Sequence, residues 1–562
     1  MTTLADGPRD SALDSAVAVP AVGDAMEVLP LATDMTVLLP RITDLSVPPA
    51  APTRPTGAVD QPVRRRRPLA DAALAVALTA IVMVVQVWNI AGFPGASDDE
   101  GTYLAQAWAV RHGLGLAHYT YWYDHPPVGW LQLALLAWLP AATAHGLIAV
   151  AAGRLAMLPV AAASLLLVYT LARRVGLARW AASLALLGYG LSPIAVTMMR
   201  QIYLDSFAVV WMLAALVLAT SPRRHLWHHA AAGVAAALAV LSKETMLIAV
   251  PAVVVALWQT TAGTPVRSWA FGGFASGLGL TGAFYPLYAV LKGELFPGPG
   301  HVSLVGAWEF QLQQRHGSGF IFSPGSDSHA LLRSWLFYDT VLLAGGLVAV
   351  ALALAVRRLR APAVAGALLA LVALRPGGYL PAMYVVQVLP FFALALAGMV
   401  EVGVGTVLRG RWRLVRCVVL VALLATAAGY VVPRWYAGDR RALVSHDNAG
   451  YAAAAAYLRE RIPDRVHTTV VLDDVLWLDA VGAGYPRDRV IWFYKLDLDP
   501  SVAARLTDGW RSVDYIVSTP AVRQDPASLP TVAKLLTHSH VVTVFGDGAG
   551  RIEIRQVDKE SP

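Results

Sequence analysis

Cysteine is nearly absent from this chain: of 562 residues only Cys417 is one. An internal disulfide and a cysteine metal cluster are therefore both excluded. Cys417 lies in an apolar run and reads as a packing residue. Charge is scarce as well, at 14% of residues against about 25% in soluble domains. With 57% hydrophobic residues, the composition excludes an ordinary soluble domain and leaves a polytopic membrane protein in a lipid bilayer. The net charge of +7 would suggest nucleic acid in a soluble protein. Here the basic residues cluster in short loops between apolar runs, which is an orientation signal, so nucleic acid is rejected as a partner. A dinucleotide-type glycine loop and a convincing internal repeat are also missing. The start of the chain is acidic rather than basic, which argues against a signal peptide. Residues 1–62 lack periodicity and are expected to be a disordered cytoplasmic tail.

What is present is a series of apolar runs punctuated by arginines. A spanning helix needs about 20 apolar residues. Residues 69–91 qualify, and Arg64, Arg65, Arg66 and Arg67 precede them. The positive-inside rule places that cluster in the cytoplasm and sends the first helix outward. Further spans are expected at 155–172, 180–198, 206–220, 268–290, 335–356, 363–374, 382–400 and 417–432. The run 229–259 would reach roughly 46 Å as one helix, too long for a core of about 30 Å. Lys243-Glu244 interrupts it, so two short helices are expected. The run 128–147, holding Pro140 and His145, reads as re-entrant. With that choice Arg173, Arg174, Arg179, Arg223, Arg224, Arg267, Arg357, Arg358, Arg360, Arg409, Arg411, Arg413 and Arg416 all fall inside. The expected architecture is an all-α polytopic membrane domain of about eleven helices over 63–432. A small extracytoplasmic α/β domain follows over 433–562, with strands near 469–472, 490–493, 515–517 and 541–545. The protein is placed in the plasma membrane, with a cytoplasmic N-terminus.

The parity puts Ser97-Asp98-Asp99-Glu100 in an outer loop, 92–127. Three carboxylates at the mouth of a span need water, a cation or a substrate. Asp98, Asp99 and Glu100 offer a general base, or oxygen ligands for a divalent cation. Capping of a helix from about Glu100 to Arg111 is the plainer account and explains one acid well and two adequately. Asp124-His125-Pro126-Pro127 fixes an extended backbone before the next helix. Asp124 and His125 could face a hydroxyl and a phosphate, or merely form a rigid turn. Arg200 and Asp205 stand at an outer helix end, where an ion pair is the bland alternative. A charge at mid-bilayer costs about 2.5–3.5 kcal/mol, so Lys243 and Glu244 should face protein or a wet cavity. They either pair with each other or leave Lys243 to a lipid phosphate. Arg315, His316 and Arg375 are further cations on that side. Asp473-Asp474 in the tail reads as loop and cap residues.

In their order along the chain these elements resemble those of GT-C glycosyltransferases, of the kind grouped with protein O-mannosyltransferases and the aminoarabinose lipid A transferases (glycosyltransferase family 39-like). The resemblance covers roughly residues 69–400. It rests on Asp99-Glu100 continuing into Gly101-Thr102-Tyr103-Leu104-Ala105, and on Asp124 before His125-Pro126-Pro127. Arg154-Leu155, Arg200 with Leu204-Asp205, Lys243, and Tyr379 with Pro381 and Pro390 complete it. It implies a transferase that moves a hexosyl or pentosyl group from a polyprenyl-phosphate-linked donor on the outer face. The acceptor would be an envelope glycan, lipid or protein hydroxyl. It implies Asp99 as the base, with Glu100, Asp124 and Asp205 supporting the site; one in-line displacement would invert the anomeric carbon. No cofactor is required by this reading; a divalent cation, if used, would fall to Asp99, Asp124 and Asp205. The extra acid Asp98 competes with Asp99 for the role of base, and His125 stands where lipid A relatives carry a lysine. The alternative from a different class is a polytopic transporter or flippase of lipid-linked or envelope substrates, and a third is a non-catalytic scaffold.

Overall fold

The computed structural model describes residues 68–143, 146–375, 377–408 and 413–559. The expected tail over 1–62, the arginines 64–67, and His145, Pro376, Arg409 and Arg411 lie outside the described residues. The protein is a multi-pass membrane protein, helical up to residue 460 and closed by one small sheet. The first helix, α1 (Pro68–Val87), has a mostly apolar surface, and Val76, Ile81, Val84 and Val87 stay exposed. An apolar helix that leaves such residues uncovered needs lipid to cover them.

By length and composition, five helices among the described residues can cross a membrane, and up to seven if each bent pair counts as one. Four shorter apolar helices accompany them: Val128–Pro140, Leu204–Ala219, Leu226–Ser242 and Glu244–Thr260. The run 229–259 is two helices meeting at Lys243, whose backbone is extended (φ −152°, ψ 117°). The single span expected at 335–356 is corrected. Helices Asp327–Tyr338 and Val341–Ala353 meet at a 104° bend. Asp339, buried in that bend, accepts the Leu342 N–H at 2.8 Å and the Ser192 hydroxyl at 2.5 Å. A buried carboxylate that caps a helix start this way fixes a break that hydropathy alone cannot register.

Close packing relies on missing side chains. Helices Leu226–Ser242 and Arg267–Gly282 cross at Gly233 and Gly277. A Cβ at Gly233 would stand 2.1 Å from the Phe274 carbonyl oxygen, and one at Gly277 2.3 Å from that of Ala230. Small residues at the crossing let two backbones approach within the membrane.

The helix Arg413–Val444 runs unbroken past the expected boundary at 432/433, with Pro433 inside it. Beyond it comes a sheet of β1 (Val470–Leu472), β2 (Val490–Trp492), β3 (Tyr515–Ser518), β4 (Ser539–Phe545) and β5 (Ile552–Val557). Its order is β2-β1-β3-β5-β4. β1 pairs parallel with β2 and β3, Val470 facing Val490 and Tyr515; β5 pairs antiparallel with β3 and β4. Val470 and Leu472 pack beneath Trp477 and Leu458 on one face, while Val471 and Ile491 meet Trp510 and Val532 on the other.

This domain rests directly on the loop after α1, through α2 (Asp98–Arg111). A Cβ at Gly101 would lie 2.3 Å from the Asp474 backbone, so only glycine permits the contact. At a second contact, Asp479 accepts the Ala149 N–H with both carboxylate oxygens, at 3.0 and 3.1 Å. Burial, the largest influence, and the nearby charge of Asp473 push its carboxyl up to about 7, against the Ala149 hydrogen bond and Arg459.

A native carboxyl raised above its unfolded value of 3.8 contributes stability that is full below that value and lost as pH rises through about 7. The thermal midpoint of the purified protein should therefore fall between about pH 4 and about pH 7, and Asp479→Asn should flatten that fall. A slope unchanged by the substitution would refute this role for Asp479.

Candidate functional site

The start of α2 is held by its own cap and by one ion pair. Ser97 is the N-cap residue; its N–H donates to Glu100 Oε2 at 3.2 Å, and its carbonyl accepts the Glu100 N–H. Glu100 is fully buried and faces Arg154, also fully buried. Arg154 Nε donates to Oε1 at 2.8 Å and Nη2 to Oε2 at 2.7 Å. Gln201 Nε2 and the Ile202 N–H complete the carboxylate at 3.3 and 3.1 Å. Arg154 also donates to the carbonyls of Ile90, Pro94 and Gly95. These bonds fill the lone pairs of Glu100 and tie the start of α2 to Arg154 and to the Gln201-Ile202 segment.

Asp99 sits one residue earlier and half-buried. Burial pushes its carboxyl above the usual range, while the charges of Lys243 and Arg315 pull it back. Lys243 is buried and has Glu244, Asp205, Asp99 and Asp124 as its charged neighbours. Its Nζ donates to His125 Nε2 at 3.0 Å, and His125 Nδ1 lies 3.2 Å from Glu244 Oε2. An ammonium can only donate, so Nε2 is the acceptor and the histidine is neutral, with its proton on Nδ1. Lys243 and Glu244 are thus joined through His125 rather than directly.

Asp205 is fully buried and accepts Gln387 Nε2 at 2.5 Å; its other oxygen has no hydrogen-bond partner among the described residues. The Arg200–Asp205 pair is not formed. Arg200 instead donates to the carbonyls of Val85 and Phe93, with Asp439 as its charged neighbour. Arg315 lies 3.6 Å over the Tyr379 ring, and its charge reaches Asp99. Arg375 is exposed and donates to the Leu312 carbonyl at 2.8 Å. The structure therefore brings Asp99, Asp124, His125, Asp205, Lys243, Glu244 and Arg315 together, and leaves Arg200 and Arg375 apart.

Two contributions were not read from the sequence. Tyr103 is buried among Asp99, Asp124, Asp205 and Glu244, with its ring 6.2 Å from that of His125. Its spacing of four from Asp99 on one helix is the signal that could have found it. The second comes from the tail. Asp473 does cap the helix Asp474–Gly482, but Asp474 Oδ2 also accepts the Thr102 hydroxyl of α2 at 2.5 Å and that of Tyr494 at 3.1 Å. Asp98 faces this pair; burial, then the charges of Asp473 and Asp99, push its carboxyl up to about 7.

A divalent cation does not fit these residues. Among the described residues no three His, Cys, Asp or Glu side chains converge as a metal would require, and the Lys243 ammonium already stands amid Asp99, Asp124 and Asp205. Lys243 and Arg315 put positive charge beside Asp99.

Over residues 76–269 the chain matches a family model described as dolichyl-phosphate-mannose-protein mannosyltransferase. No curated protein matches it in sequence. Among solved structures it is similar to ArnT from Cupriavidus metallidurans in the apo state, with a TM-score of 0.54 and 17% identity over 87% of this chain and 98% of that one. ArnT bound to undecaprenyl phosphate gives a TM-score of 0.52 and 16% identity over 86% and 97%. The oligosaccharyltransferase of Archaeoglobus fulgidus, tethered to an acceptor peptide, gives 0.50 and 14% over 87% and 74%. The resemblance to GT-C glycosyltransferases stands on these matches, and the chain has the GT-C fold.

Arg154→Met leaves the buried Glu100 carboxylate without its counter-charge, which should destabilise the protein by about 3–5 kcal/mol. Pairing it with Glu100→Gln should restore part of that loss. Thermal unfolding of the three variants in detergent checks this; an additive double variant would refute the pairing.

Proposed function

We propose that this protein transfers a sugar from a polyprenyl-phosphate-linked donor to an acceptor hydroxyl on the outer face of the plasma membrane. One observation carries the reading: the half-buried Asp99 carboxylate stands at the start of α2 beside the buried Lys243 and the cation Arg315. A base next to fixed positive charge suits a reaction in which a hydroxyl loses a proton and a phosphate gains charge. ArnT, similar in fold over nearly its whole length, has been seen with undecaprenyl phosphate, which supports a lipid phosphate as the leaving group.

The acceptor hydroxyl gives its proton to Asp99 as its oxygen attacks the anomeric carbon. The bond from that carbon to the phosphate oxygen breaks, and both electrons stay with the phosphate. Lys243 and Arg315 stabilise the departing charge, and a single displacement inverts the carbon. His125, held between Lys243 and Glu244, sets the direction of the ammonium. Burial keeps the base above the ordinary carboxylate range, nearer the pH at which it works.

The arginines support the outward orientation. Arg173 and Arg179 gather on Asp71 at the start of α1, and Arg358 bonds the Gly176 carbonyl and Glu401. The loop after α1, and α2 with it, lies at the other end of the same helix. Basic turns favour the cytoplasm, so the site opens outward, where lipid carriers supply activated sugars.

In proteoliposomes with a polyprenyl-phosphate sugar, Asp99→Asn should lower turnover by about 10²–10⁴-fold with the fold intact. Near-normal turnover would remove Asp99 from the role of base, and Asp98→Asn in parallel separates the two acids. The acid limb of the wild-type rate profile should lie above 3.8 and move higher in Lys243→Met, which loses the Lys243 charge that lowers Asp99. Thr120→Cys, on a Cys417→Ser background, should react in intact cells with a thiol reagent that cannot cross membranes; protection until lysis would reverse the orientation.

A further inference from the structure

Where the C-terminal domain meets the outer loop there is a cavity of about 90 Å³, lined by Gln106, His118 and Asp124 on one side and Trp492 and Lys495 on the other. It is bordered by aromatic faces. The His118 ring centroid lies 4.4 Å from that of Tyr119, 4.1 Å from Trp477 and 4.3 Å from Trp492. The Lys495 ammonium stands 4.8 Å over the Trp122 ring and 3.8 Å from Asp499.

The polar atoms are the unusual part. Both ring nitrogens of His118, Nε1 of Trp492 and Oε1 of Gln106 are buried without a hydrogen-bond partner among the described residues. A buried polar group left unpaired bears the full cost of its lost hydration. Four on three residues that line one cavity call for something in it. Burial holds His118 well below the usual histidine value, so it stays neutral, with one nitrogen donating and the other accepting. The cavity therefore mixes donors (Trp492, Lys495, one nitrogen of His118) with acceptors (Gln106, Asp124, the other nitrogen).

An anion would meet Asp124 and the nearby Asp474. An apolar group would leave every polar atom unpaired. Hydroxyls both donate and accept, and the C–H face of a sugar ring packs on aromatic faces. The volume admits a few waters or one edge of such a ring. We propose that this cavity is a saccharide-binding subsite, taking the hydroxyl edge of a neutral sugar ring between the outer loop and the C-terminal domain. Thr102, which also lines it, is three residues from Asp99 on α2, so the sugar would be held beside the base. This inference rests on the transferase reading for its role, though not for the binding itself. The sugar belongs either to the lipid-linked donor or to an acceptor glycan.

The test uses the full-length protein in nanodiscs, with two probes: a panel of methyl hexopyranosides and methyl pentopyranosides, and short-chain polyprenyl-phosphate sugars. His118→Phe keeps the ring and removes both nitrogens; Trp492→Phe keeps a ring and removes the indole N–H. Expected is a free protein whose thermal midpoint is no lower in His118→Phe than in wild type, because orphaned atoms have gone. Saccharide binding should nonetheless weaken by about tenfold in each variant, the worth of one or two hydrogen bonds. Weakening confined to the free glycosides assigns the subsite to the acceptor, and weakening confined to the lipid-linked sugars assigns it to the donor. If no saccharide binds wild type, or all bind the variants equally well, the cavity holds water only and the proposal is overturned. Variant-sensitive binding in a protein that transfers no sugar would keep the subsite and remove the transferase.

Discussion

The ion pair between Glu100 and Arg154 is the constraint on which the site depends. Both groups are fully buried, and each hydrogen-bonds further partners as well as the other. Removing charge from water is expensive, and the cost is recovered only when geometry and hydrogen bonding are both satisfied. Arg154 binds the carbonyls of the loop after α1, while Glu100 binds the backbone that leads into the helix Leu204–Ala219. One interaction thereby fixes three chain segments, and with them the direction in which Asp98 and Asp99 leave α2.

Around that anchor a lysine stands amid the carboxylates Asp99, Asp124, Asp205 and Glu244. Lys243 lies at an extended break between two apolar helices, its N–H bonded to the Ala239 carbonyl and its own carbonyl to the Met246 N–H. His125 bridges it to Glu244, so the ammonium is aimed as well as buried. A fixed ammonium stabilises developing phosphate charge without reorganisation, and a low-dielectric surrounding strengthens the effect. The same surrounding raises Asp99, so the proposed base and its neighbouring cations are tuned by one environment.

The C-terminal domain is part of this arrangement rather than an appendage. Gly101 lets its backbone reach α2, Asp474 binds Thr102, and Trp492 and Lys495 close the cavity beside the loop that carries Asp124. A wall shared between two domains makes any ligand there dependent on their docking.

The acids Asp98 to Glu100, the Asp124-His125 pair and the break at Lys243 were legible because charge in an apolar sequence stands out by its cost. Four strands of the tail were legible from their β-branched runs, whereas Ile552–Val557, with Glu553, Arg555 and Gln556 among its apolar residues, has no such run. The role of Glu100 was not legible: a carboxylate three residues after a serine reads equally as a cap or as catalytic. Nor was the separation of Arg200 from Asp205, because sequence neighbours on consecutive helices can turn to different partners. The sequence determined that the chain lives in a bilayer and which few charges it keeps there, since composition and hydropathy are local sums. Only the tertiary structure decided which of those charges meet. Pairing in a low-dielectric interior depends on distances between segments up to several hundred residues apart, and no local pattern encodes them.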